Sequence, residues 1–145
     1  MALPANELTR GDFRNWIVKE GPDGAAHLIV PSADQAYQQY DMCVSLPWCG
    51  IVDPGLVGNP SGGVVAGDEF SMHVAEGIQI DSREIEDGAV FNTFGQEVWY
   101  NAVTKQYTDT EDEGLYLVGY VVLPTDSYGC FRFEKRRYVV EGEAS

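Results

Sequence analysis

Only one stretch of this chain could wind into a helix, "PSADQAYQQYD" at residues 31–41, and it is too short to hold one unaided. It reads equally as an extended linker. From Met42 onward, short apolar runs alternate with turns. "MCVSLPWCGIVDPGLVG" begins the pattern, and "VVAGDEFSMHVAEGIQI" continues it as two short strands broken at "AGD" and "EG". "GAVFNTFGQEVWYNAVTKQYTDT" supplies further strands around "TFG" and "NAVTK". "LYLVGYVVLP" is almost continuously apolar, which suits a strand covered on both faces. "GCFRFEKRRYVV" alternates, with Phe131 and Phe133 on one face and Arg132 and Glu134 on the other. Nearer the start, "NWIVKEGPDGAAHLIVP" reads as a hairpin about "GPDG", and "MALPANELTRGD" as a polar arm. Short strands separated by glycine-marked turns predict an all-β fold: a small β-barrel or β-sandwich-like domain with an extended N-terminal arm or hairpin. At 44% hydrophobic over 145 residues, the chain can bury a core without disulfides or metal.

The net charge of −14 repels a phosphate backbone, so no direct nucleic-acid partner is expected. Arg132, Lys135, Arg136 and Arg137 crowd into "FRFEKRR", four of the nine basic residues. That run reads as a strand paired with acidic neighbours, a basic patch being the alternative. Three cysteines, Cys43, Cys49 and Cys130, cannot form a fully paired framework. Buried free thiols in a reducing cytoplasm are the reading, with a Cys43–Cys49 contact across a loop left open. No apolar run reaches membrane-spanning length, and the first residues lack the apolar core of a secretory signal.

Signs of chemistry are sparse. His27 and His73 lie far apart in sequence, and strand alternation places His73 on a solvent side. Neither Cys43 nor Cys49 has a cationic neighbour in sequence to activate a thiol, and their spacing matches no zinc knuckle. "GNPSGG" lacks the Lys-Ser/Thr of a phosphate loop, and "DTEDEG" lacks the ligand spacing of an EF-hand. No catalytic residue, metal or cofactor is therefore expected. The aromatics of "FGQEVWYNAVTKQYTDT" remain. In a strand, Val98 and Tyr100 take one face and Trp99 the other, so one set is core and the other surface or interface.

The order of these features resembles the capsid decoration, or cement, proteins of tailed bacteriophages over roughly residues 50 to 140. The resemblance rests on Gly95, Val98, Trp99, Tyr100, Asn101, Lys105 and Thr108 in the hairpin, on Val118, Gly119 and Tyr120 in the next strand, and on the closing "RRYVV". With the arm, hairpin and acidic tail read from the residues, the chain divides into an N-terminal arm and hairpin over 1–36, a domain over 37–140 that the resemblance makes a β-barrel decoration domain, and an acidic tail over 141–145. It implies a virion structural protein, made in the host cytoplasm, that binds the outer surface of the expanded head and stabilises it. The implied partners are the major capsid protein and sister subunits in a homotrimer. Leu3, Leu8, Phe13, Trp16, Trp48 and Trp99 are then the candidate capsid or subunit contacts. A head–tail connector or tail component is the alternative, followed by a ligand-binding β-barrel that uses Trp99 and Tyr100.

Overall fold

The structure is a computed structural model that describes residues 15–19, 27–38, 40–53, 64–73 and 77–143. The fold is all-β, as expected. Among the described residues ten strands form two antiparallel sheets: β1 (Asn15–Lys19), β2 (His27–Val30), β3 (Met42–Ser45), β4 (Trp48–Asp53), β5 (Phe70–His73), β6 (Gly77–Ile80), β7 (Glu97–Asn101), β8 (Gln106–Thr108), β9 (Tyr116–Leu123) and β10 (Phe131–Glu141). The larger sheet has the order β1-β6-β10-β9-β7-β8, the smaller β2-β5-β4-β3.

The β3–β4 hairpin explains how the two sheets pack. Met42, Val44, Cys49 and Ile51 point one way, into a core with Ile78, Ile80, Val98, Tyr100, Tyr107, Val118, Phe131 and Phe133 of the large sheet. Cys43 and Val52 point the other way, into a second core with Val30, Phe70 and Met72. Ala33, Tyr37 and Val64, from the connections, close that second core. The small sheet is therefore a middle layer, which is why its strands carry apolar residues on both faces. Aromatic stacking stiffens the first core: the Phe91 and Phe131 rings lie parallel at 4.2 Å, and Tyr107 tilts against Tyr100 and Phe133 at 4.9 and 5.7 Å.

Several sequence expectations change. β1 and β2 form no hairpin with each other. β1 extends the large sheet beside β6, and β2 extends the small sheet beside β5. An isolated two-stranded hairpin is marginal in water, whereas each of these strands gains by joining an existing sheet. The "GPDG" between them lies outside the described residues, as does "GNPSGG". The described part of 31–41 is not helical. Its backbone bonds run across to another segment, Tyr37 exchanging both hydrogen bonds with Val64 at 2.9 and 2.7 Å. β9 is covered on both faces only along part of its length, since Tyr120 is 36% exposed and Leu123 52%. The acidic tail is tied down through residue 143. The Gly142 amide donates to the Leu115 carbonyl, and the Glu143 amide to Glu111 Oε2.

Candidate docking surface

The β7–β8 hairpin is a structural clamp. Asn101 Oδ1 accepts the amides of Val103 and Thr104, closing the turn. Lys105 follows with a φ of 60°, a left-handed conformation that costs a non-glycine residue. Its ammonium reaches Asp41 Oδ2 at 3.1 Å and the Ala36 carbonyl at 2.8 Å, and lies 5.2 Å from the centre of the Tyr37 ring. Gln35 Nε2 adds a bond to the Ala102 carbonyl. The turn thus fastens the 34–41 segment, and with it the cover of the second core.

Trp99 is not an exposed contact. It is 2% exposed, and Val98 and Tyr100 beside it are buried too. A register shift between Val98 and Trp99 breaks the expected alternation, and the Trp99 ring packs under Gly142 while its Nε1 donates to Glu97 Oε1. The ligand-platform reading of Trp99 and Tyr100 loses its exposed rings for the same reason. Leu3, Leu8 and Phe13 lie outside the described residues. Trp16 falls in β1, in register with Gln79. Of the six candidate contacts, Trp48 is the one whose ring the structure places partly at the surface.

His73 also departs from expectation: both faces of β5 are covered, and the imidazole is buried. Register sets it opposite His27, so the fold pairs across a sheet two residues that sequence reasoning left apart. None of the three cysteines forms a disulfide, and all three are buried. Burial raises the Cys43 thiol from its ordinary value of 9.0 to about 12, with Asp34 adding to the rise against a hydrogen bond to Tyr37, and raises Cys49 to about 11. Buried neutral thiols are inert, not activated. The unfolded chain loses these protons first, so their stabilising contribution is complete below about pH 9 and is lost as pH rises to about 12. Across that window each pH unit removes up to about 1.4 kcal/mol per thiol. Urea unfolding at stepped pH is expected to show this loss, with thiol-reagent labelling tracking unfolding at every pH.

Trp48 belongs to a larger group. Its ring lies 5.0 Å from that of Tyr138, which is 47% exposed. Leu46, 51% exposed, flanks it in the β3–β4 turn, and Val140 stands two residues beyond Tyr138 on β10. The Val139 amide donates to the Pro47 carbonyl at 3.0 Å, tying turn to strand. The basic run supplies the other half. Between Lys135 and Val140 the register of β10 shifts, which breaks the alternation and turns consecutive arginines outward. The Arg137 guanidinium lies over the Tyr138 ring at 5.7 Å. Arg136 lies over Tyr120 at 5.8 Å and donates from Nη1 to its hydroxyl at 2.7 Å. These side chains engage tyrosines and backbone, where the sequence reading expected acids. Lys135 is different: it is buried and donates to the Arg136 carbonyl.

The result is a ridge running from Tyr120 through Arg136, Arg137 and Tyr138 to Trp48. Sequence reasoning found only Trp48. The break in alternation at "KRRY" was the available signal for the rest. No protein-family model, curated protein or solved structure matches the chain. Among the described residues no three His, Cys, Asp or Glu side chains lie together in a group that could hold a metal ion.

Chemically, the ridge suits binding. Tryptophan, tyrosine and arginine are the residues that most often carry the energy of protein–protein contacts, because each offers a large contact area together with a polar group. Here the rings are held by three strands, β4, β9 and β10, and the guanidinium groups are held over rings, so little side-chain freedom remains to be lost on docking.

Proposed function

We propose that this chain is a non-catalytic docking subunit, a bacteriophage capsid decoration protein that grips the outer surface of the expanded head through the Trp48–Tyr138 ridge. The observation that carries the reading is the placement of two partly exposed aromatic rings and two ring-held arginines together on the surface of a doubly cored β-body. The resemblance of the 94–110 and 118–140 stretches to cement proteins supplies the partner. Association as a homotrimer would let three ridges engage together, so modest single contacts would sum through effective concentration.

The test is co-sedimentation with expanded, undecorated shells of the cognate phage, followed by heating. Saturable binding and a higher shell disruption temperature are expected. Trp48→Ala is expected to weaken binding about tenfold or more, in the range of an interface anchor. Replacing Val103, 89% exposed in the β7–β8 turn and no part of the ridge, with serine should leave binding unchanged. Failure of the parent protein to bind shells, or binding indifferent to Trp48, overturns the proposal. A ring of six or twelve subunits would turn it towards a head–tail connector or tail component.

A further inference from the structure

β2 and β3 are opposite edges of the small sheet, and in a flat four-stranded sheet they would stand about 14 Å apart. Yet Val30 of β2 and Cys43 of β3 share one core and line one cavity of about 260 Å³. The sheet curls, and the cavity is a slot between its two edges that Tyr116 of β9 also lines. Val30, Leu46 and Phe70 make its apolar walls, and Asp34 and Ser45 its polar ones.

Two features of the slot point to an occupant. The first is an unused strand edge. The Val52 amide donates to the Asp41 carbonyl, so the bonded pairs of this hairpin are Asp41–Val52, Cys43–Gly50 and Ser45–Trp48. Met42 and Val44 therefore turn their own amide and carbonyl groups away from β4. The Met42 carbonyl accepts the Tyr100 hydroxyl at 3.3 Å, while Val44 lines the slot. The second is an exposed carboxylate. Asp34 Oδ1 accepts the Tyr37 hydroxyl at 2.5 Å, leaving Oδ2 for an incoming donor. Burial holds the Tyr37 phenol far above its ordinary pKa, so it stays a neutral donor and does not cancel the charge of Asp34.

We infer that the slot receives a lysine side chain carried on an extended segment of a partner protein, with the segment's backbone pairing to Val44 and the ammonium meeting Asp34. The methylene stem of lysine suits the apolar walls, and its ammonium is a compact point charge that one carboxylate oxygen satisfies. Arginine's planar fork would want two. A chain of net charge −14 also favours a basic partner over an acidic one. The inference rests on the docking reading, since Leu46 borders both ridge and slot, but its test needs no shell.

The probes are acetyl-Val-Lys-Val-amide and the same peptide with norleucine in place of lysine, titrated into the full chain and followed by amide NMR at pH 7. The lysine peptide is expected to move the amides of Cys43 to Leu46 and to bind about tenfold more tightly than the norleucine peptide, the scale of one charge-assisted bond. Asp34→Asn is expected to erase that difference while leaving the spectrum of the large sheet unchanged. Equal affinity of the two peptides for the parent chain overturns the inference, whatever the variant does. So does binding that leaves the β3 amides unmoved. Shell binding that fails while the lysine preference holds removes the capsid reading alone.

Discussion

Gly119→Ala is expected to destabilise the fold by about 3 kcal/mol or more, the upper end of what an overpacked core residue costs. Gly119 sits in β9, facing β10. A Cβ there would lie 2.2 Å from the Glu134 carbonyl oxygen and 2.5 Å from a carbon of the Phe133 ring. The first of these is backbone, held by the longest strand pairing of the large sheet, and it cannot swing aside. Gly95→Ala supplies the comparison. Its φ of 86° is unfavourable for alanine, but the space beside it is open, so a cost of about 1–2 kcal/mol is expected. Urea midpoints of the two variants separate a collision from a strained dihedral. A Gly119→Ala protein as stable as the parent would mean that β9 and β10 are not so closely apposed.

Lys105→Met is expected to cost about 2–3 kcal/mol. Asp41 is buried, 2% exposed, and loses its cation when the ammonium goes. Removing one partner of a fully buried pair costs about 3–5 kcal/mol, and the lower figure reflects a lysine side chain that remains 27% exposed. Methionine keeps the stem and the same left-handed backbone, so the loss reports the charge. Adding Asp41→Asn to Lys105→Met is expected to recover part of the stability, because a neutral amide no longer needs the ammonium. If the double variant is less stable than the single by the full cost of Asp41→Asn alone, the two residues are not coupled and the clamp is misassigned.

What could be read from the sequence was mostly local. The strand pattern after Met42, the alternation of Phe131 and Phe133, and the turn after Asn101 are short-range signals, and each appears where the residues place it. The misreadings share one cause. Val98, Trp99 and Tyr100 look half-exposed until the chain at Gly142 packs against the Trp99 ring. His73 looks solvent-facing until β2 and β4 flank it within a middle layer. The 15–30 stretch looks like a hairpin because nothing local reveals two better sheet edges. The ridge stayed hidden for the same reason, since Trp48 and Tyr138 lie far apart in sequence and meet where β4 packs against β10.

The order β1-β6-β10 has a mechanical consequence. β6 runs antiparallel to both neighbours, so β1 and β10 point the same way. Tension applied through Asn15 and Glu141 therefore drags these strands lengthwise past β6 in opposite senses, and the rungs crossing at right angles share the load together instead of parting one by one. A sheet wired in that direction resists stretching where a peeled hairpin would yield, a useful property for anything fixed to a pressurised wall.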